Sequence, residues 1–382
     1  MAGTLDPTPA SAAGGPGLSR RGFLRGTGLG AASVALGGPA FLAACSSHSS
    51  SAARHVRVAN LPLMIDDNTP GLFEQSSGVF LDYAEYTDAD AFVSEHRDAL
   101  QAHRDIGADV VILPDAQTAQ LVAAGWVRAL DVPDARKRLL PQYANPAFDP
   151  GRRFSIPYWS TLVGLAYDTR RVHTPVRSAG ALLDAAFAGK VTLSADAAQT
   201  LGLLVLQAGG DPAKVTAAQA AAALASVRGA VSSGQIRSFA TTEYVDDLVA
   251  GRALLAVARA ADIRDARPIA PDLAFVVPDE GGLLTSTNMV VPTGARNFDE
   301  AQQFVEYMST AGPNSRLASF ANAVLPIAGA YDALPGIDAK AAADPLIQPS
   351  PAVWKRLTIW GGNAATAATT ADFATLAREH RG

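Results

Sequence analysis

The chain has 382 residues, with 31 Lys and Arg against 36 Asp and Glu, a net charge of −5 with histidine neutral, and 48% hydrophobic residues. That acidic balance, with no extended run of Lys and Arg after Arg25, argues against nucleic acid as a partner, because phosphate contacts require grouped basic residues. One cysteine excludes an intramolecular disulfide, and the length exceeds a typical single domain, so two lobes with cores of their own are expected.

The chain opens with a targeting pattern. In SRRGFLR (19–25), Arg20 and Arg21 precede an apolar pair, and a weakly apolar stretch rich in Gly and Ala runs on to residue 44. It is interrupted by Pro39 and too mildly hydrophobic for a spanning helix, which needs about 20 strongly apolar residues. Basic start, apolar middle and small residues at the end predict an export signal over residues 1–44, and the paired arginines mark the twin-arginine (Tat) route. LAAC (42–45) resembles a bacterial lipobox, in which Cys45 is acylated and becomes the first mature residue. Residues 45–54 then form a solvated tether, and the acyl chains hold the body at a membrane, each buried methylene contributing about 0.8 kcal/mol. Removing residues 1–44 takes three arginines and one aspartate, leaving 28 basic against 35 acidic residues. The expected location is the cell envelope, facing the periplasm or the outer face of the plasma membrane.

The mature chain begins with an alternating strand at 55–60, a short helix at 69–78 closed by glycine, and a strand at 79–86. A helix follows over 88–107, capped by Asp88 and stopped by Gly107, then a buried strand at 108–114 and a helix at 116–126. This is the βαβ rhythm of an open, mostly parallel sheet. Two strands at 153–159 and 162–168 leave no room for a helix between them, which is how a chain passes into a second lobe. There the rhythm restarts: helix 178–187, strand 190–195, helices 197–208 and 216–230, strand 235–240, helix 243–250, and strands 253–258 and 273–277. The segment 279–292, with a Pro-Asp-Glu-Gly-Gly turn, leads back. Helices at 298–312 and 314–323 pack on the first lobe, a second crossing starts at Pro326, and a last helix covers 369–380. The fold class is therefore α/β, a two-lobe clamshell in which each lobe is an open, mostly parallel sheet flanked by helices. Lobe 1 takes 55–161 plus 286–325, and lobe 2 takes 162–285 plus 326–382. Ligands bind such sheets at the carboxyl ends of the strands.

RVANLPLMIDDNTPGLFEQSSGV, GADVVILPD, RRFSIPYWSTLVGLAYD, DDLVAGRALLAVA, LAFVVPDEGGLLTSTNMVVPTGARNFDEAQQFVEYM and NAVLPIAGA occur in this order. In them the chain resembles the spermidine/putrescine (polyamine) substrate-binding proteins of bacterial ABC importers, with their type II periplasmic-binding-protein fold. The resemblance covers nearly all of 55–335. It implies a receptor that closes on a small-molecule solute and presents it to a membrane permease and its ATPase, with no cofactor and as a monomer.

The resemblance also implies a pocket, and here the residues depart from the family. The motif Asn-Trp-x-x-Tyr falls on Asn60, Leu61 and Met64, with neither aromatic kept. The aromatic usual after VVILP is Ala116. The Trp-Ser-Gly-Asp motif falls on Arg259 to Asp262. The crossing strand carries Thr285 and Thr287 in place of a Trp and an amine-binding Asp, next to Asn288, and a pocket Tyr is Ala323. Two acids at the start of a helix fall on Asp196 and Gln199, so one survives. Cation–π contacts are worth about 0.5–2 kcal/mol and charge-assisted hydrogen bonds about 1.5–3. Losing even four of these aromatics and one or two acids therefore weakens polyamine binding by roughly a thousandfold or more.

Among the other candidates, Asp196 reads equally as a helix cap or an amine anchor. Tyr158, Trp159 and Tyr244 read as cleft wall or core, and Glu85 and Asp115 as ligand acids or solvated strand ends. Arg259 reads as a salt-bridged strand end or as an anchor for a carboxylate-bearing solute. A receptor for another small solute, or an envelope sensor or assembly protein, are the competing functions. The six histidines show no metal-ligand spacing, and no nucleophile–base motif or phosphate-cradling loop occurs, so neither catalysis nor a metal is expected.

Overall fold

The computed structural model describes residues 53–362 and 365–381. The export signal with Arg20 and Arg21, the acylation site Cys45 and the tether up to residue 52 lie outside them. In chain order the first half contains β1 (His55–Asn60), α1 (Thr69–Ser77), β2 (Phe80–Glu85), α2 (Ala89–Gln101), β3 (Val110–Pro114), α3 (Asp115–Ala124), α4 (Pro133–Arg138) and β4 (Ser155–Asp168). Next come β5 (Val191–Ser194), α5 (Ala197–Gln207), α6 (Ala217–Ser232), β6 (Ile236–Ala240), α7 (Tyr244–Val249), β7 (Leu255–Arg259), α8 (Ala260–Ala266), β8 (Leu273–Val276) and β9 (Gly282–Val290). The chain closes with α9 (Phe298–Met308), α10 (Ala311–Ala321), α11 (Ala330–Ile337), α12 (Ala339–Ala342), α13 (Pro351–Trp354), β10 (Leu357–Ile359) and α14 (Ala367–Glu379).

The strands form one sheet ordered β2-β1-β3-β9-β4-β7-β5-β6, with β8 also on β4 and β10 on β9. It contains the same order twice. One half reads β2-β1-β3-β9-β4 and the other β6-β5-β7-β4-β8. In each half three parallel strands are followed by one antiparallel strand, β9 in the first and β4 in the second. The two strands expected at 153–159 and 162–168 are a single 14-residue strand, β4, buried along its whole length. Pro157 and Gly164 lie inside it without ending it, and its irregularity is a register shift against β9 between Pro157 and Trp159. Proline there has no N–H to give to the ladder.

Cores form on both halves. Val56, Val58, Val110, Ile112 and Met289 pack with Phe304, Val305 and Leu317 of α9 and α10. Leu165, Leu193, Leu201, Val227, Val257 and Phe373 pack in the second half. Between them Leu162, Ala260, Leu284, Val324, Leu346 and Leu357 make a smaller cluster where β4 and β9 run from one half to the other.

Three local expectations differ from what is found. α2 ends at Gln101 rather than near Gly107, because His103 takes a left-handed φ of 53° and its amide, with that of Arg104, turns back to the carbonyls of Leu100 and Ala99. The helix expected at 178–187 is two short 3-10 turns, Ala179–Leu183 and Ala185–Phe187. Asp184 separates them, its backbone extended and its carboxylate accepting from the Ala186 amide. Residues 326–347, expected with the second lobe from Pro326 onward, pack on the first core instead. Ile327, Ala330, Leu334, Ala341 and Ile347 are all buried there, since their apolar spacing faces α10.

Candidate functional site

Several candidate residues sit at the carboxyl ends of the parallel strands. Asn60 to Met64 follow β1, Glu85 ends β2, Asp115 follows β3, Asp196 follows β5, and Arg259 ends β7. These are the strand ends where open α/β sheets bind ligands.

On the first half, Asp115 opens α3 and is only partly buried. One carboxylate oxygen accepts the Ser286 amide at 2.8 Å and the other the side-chain amide of Asn288 at 2.9 Å. Burial pushes its pKa up to about 6. The hydrogen bonds from Asn288 and Ser286 and the positive charge of Arg152 hold it down against that rise, while Asp196 adds repulsion. Each oxygen has one protein donor, so lone pairs remain for a ligand.

On the second half, Asp196 caps α5, accepting the amides of Ala198 at 2.8 Å and Gln199 at 3.4 Å, with the Gln199 side-chain amide 3.3 Å from its other oxygen. It keeps solvent contact while being densely surrounded by protein. Burial raises its pKa, opposed by those hydrogen bonds and by the charge of Arg259. Asp196 is thus a helix cap whose carboxylate stays open to solvent. Gln199 itself is buried and also accepts from Ser194 Oγ at 2.9 Å.

Arg259 is a salt-bridged strand end. Its Nε and Nη2 hold both oxygens of Asp262 at 2.8 and 3.2 Å, and Tyr244 Oη donates to Asp262 at 2.5 Å while accepting the Arg259 amide at 3.0 Å. Burial lowers the pKa of Arg259, but Asp262 outweighs it and holds the guanidinium charged. With its Nε–Nη2 edge taken bidentately by Asp262, the guanidinium does not favour a role as carboxylate anchor.

The aromatic candidates belong to the core. Tyr158 and Tyr244 are 1% exposed and Trp159 6%. Tyr158 Oη donates to the Met64 carbonyl at 2.6 Å, and Trp159 Nε1 to that of Ala321 at 2.9 Å. Burying a ring and satisfying its one polar atom inside is the ordinary fate of such residues. Met64 is buried and Leu61 partly so, both against the first core, and Glu85 is exposed and accepts the Leu63 amide at 3.2 Å, fixing that loop. Within β9, only Thr285 is part-exposed. The Ser286 amide and the Asn288 side chain meet Asp115 while the Ser286 hydroxyl faces Ser160, and Thr287 is buried with no partner for its hydroxyl among the described residues.

Sequence reasoning missed Arg152, which is fully buried and donates to Asn288 Oδ1 at 2.8 Å. In PGRRF it reads as a solvated basic pair, and nothing local distinguishes it from Arg153. Among the described residues no group of three or more His, Cys, Asp or Glu could hold a metal ion, and no helix is long and apolar enough to cross a membrane.

Residues 73–349 match the family described as bacterial extracellular solute-binding protein. Among curated proteins, the spermidine/putrescine-binding periplasmic protein 1 of Haemophilus influenzae is 25% identical over 209 residues, 53% of this chain and 56% of that protein. The putrescine-binding periplasmic protein PotF of Escherichia coli is 26% identical over 232 residues, 53% of this chain and 60% of that protein. The match thus spans a little over half the length of these two relatives. Among solved structures, the spermidine/putrescine ABC transporter substrate-binding protein PotD of Streptococcus pneumoniae superposes with a TM-score of 0.71 at 19% identity, covering 86% of this chain and all of that one. That likeness concerns the fold.

Proposed function

The chain belongs to the bacterial extracellular solute-binding protein family, and from that premise we propose that it is the receptor of an ABC importer for a small cationic solute of the polyamine class. The observation that carries this reading is the pair Asp115 and Asp196. They stand on the two different half-sheets, and each resists ionisation, with Asp196 among the causes at Asp115. An ammonium between them relieves both the burial of charge and the mutual repulsion. The names of the two curated relatives support the same class. Without aromatic faces, recognition rests on carboxylates and on hydroxyls such as that of Thr285, and affinity is below that of a receptor with an aromatic box.

Titration calorimetry with putrescine, spermidine and a set of organic acids tests the reading. Amine binding that weakens at least about tenfold in both Asp115→Asn and Asp196→Asn, the loss of one charge-assisted hydrogen bond, is the expected result. Binding of an organic acid with no amine binding overturns it. The reading extends to anchoring: Cys45 is acylated after Tat export and tethers the receptor to a membrane. Cys45→Ser then moves the protein from the membrane fraction to the soluble one, and an unchanged distribution refutes the anchor.

A further inference from the structure

Arg152 has the chemistry of a residue kept for a purpose. Its side chain is fully buried, and it makes no ion pair within 4 Å among the described residues. Nε donates to the Tyr143 carbonyl at 2.7 Å, Nη1 to Ser155 Oγ at 3.2 Å and Asn288 Oδ1 at 2.8 Å, and Nη2 has no partner. An unpaired buried cation is costly, so its counter-charges decide its meaning.

Two carboxylates stand one residue away. Ser155 Oγ donates to Asp149 at 2.8 Å, and Asp149 also takes the amides of Arg153, Phe154 and Ser155, so its oxygens are fully engaged within the loop. Asn288 bridges on the other side, receiving from Arg152 through its oxygen and donating to Asp115 through its nitrogen. Its amide orientation is fixed by this pair of contacts. A flip would set donor against donor at Arg152 and acceptor against acceptor at Asp115.

We propose that Arg152 and Asn288 are positioning residues for ligand binding: a buried cation–amide relay that orients Asp115 and keeps it anionic at the cleft, so that cation binding is lost on mild acidification. The proposal rests on reading Asp115 as a ligand carboxylate. The charges acting on Asp115 are Arg152, ahead of β4, and Asp196, at the head of α5. The neutral groups holding it are the Ser286 amide and Asn288 of β9. Arg152 and Asn288 act in one direction and Asp196 in the other, so removing either relay member raises the midpoint of Asp115.

The test is a carboxyl-carbon NMR titration of Asp115 in the free, full-length mature protein, together with putrescine calorimetry between pH 5 and 8. In Asn288→Ser the midpoint rises by about one unit, the loss of one hydrogen bond to the charged form. The acid limb of putrescine binding rises with it. As a second route, Arg152→Gln raises the midpoint and Arg152→Lys restores part of it. A folded variant whose midpoint does not move overturns the relay, even if its stability falls. A midpoint that moves while putrescine affinity stays constant at every pH supports the relay's action on Asp115 and overturns its role in binding. Absence of putrescine binding in the wild type, with the midpoint still moving, separates failure of the cleft reading from failure of the relay.

Discussion

Asp115 meets two opposed demands: its burial favours the neutral acid, while a cationic ligand needs the anion. Burial takes its pKa from 3.8 to about 6 in the folded chain, so folding binds a proton over that range. For a carboxyl shifted upward, its contribution to stability is full below pH 3.8 and is lost as pH rises through 6. The shift corresponds to at most about 3 kcal/mol between those limits. Asp115→Asn removes this dependence. Relative to wild type it gains roughly 1–2 kcal/mol between pH 5 and pH 7.5, seen as a flatter plot of urea midpoint against pH. Tyr244 makes the opposite case. Tyr244→Phe strips a hydrogen bond from Asp262 and leaves the Arg259 amide without its acceptor, a loss of about 1–3 kcal/mol in urea unfolding. Because that ring is core, putrescine affinity is unchanged, and a tenfold weakening would put it on the cleft wall instead. Asp115 and Asp196 were legible in the sequence as acids at strand ends and helix starts. Arg152 and the inward turn of Asn288 were not, because a buried guanidinium and a solvated one share the same letters until tertiary contacts separate them.

Among elements, β4 shows how much a strand can conceal. Its sequence contains Pro157 and Gly164, which suggest interruption, yet the backbone runs extended through both. Gly164 is there for space: a Cβ would stand 2.3 Å from the Val276 carbonyl oxygen on β8. Gly164→Ala therefore forces β4 and β8 apart, with an expected loss of about 1–3 kcal/mol. Gly229 is its control. It lies in α6 with an ordinary φ and nothing within 4 Å of an added Cβ, so Gly229→Ala stabilises by about 0.5–1 kcal/mol. Thermal unfolding of the two variants gives shifts of opposite sign. Helix caps were readable beforehand, as Asp88 and Asp196 both accept amides at the positions their spacing implies. The early end of α2 and the broken turns around Asp184 were not, because they depend on one left-handed residue and one side-chain hydrogen bond.

The arrangement of the whole chain depends on contacts between its distant parts. Arg264 of α8 and Arg267 just after it both reach Asp344, at 3.0 and 2.7 Å, and Asn322 bonds Arg264 and Asp265 beside them. Asp344 lies in the segment that packs on the first core, so this cluster joins α8 to it. Asp344→Ala leaves two partly buried guanidiniums without their shared anion and costs about 1–3 kcal/mol. Small-angle scattering of the ligand-free variant then gives a larger radius of gyration than wild type, and an unchanged radius and stability would dismiss the cluster as incidental. The strand–helix rhythm was enough to read the α/β class and the doubled sheet, whereas the course of residues 326–347 was not readable. Its spacing specifies a helix face but not which neighbour covers it.

One consequence follows from β4 and β9 each belonging to both half-sheets. The second half has its four strands once β7 ends at residue 259, but synthesis must reach residue 290 before the first half, begun at residue 55, gains β9, so its β3 edge stays raw while the rest is made. Cutting the gene at the waist yields two fragments that each lack a border strand and invite pairing with strangers.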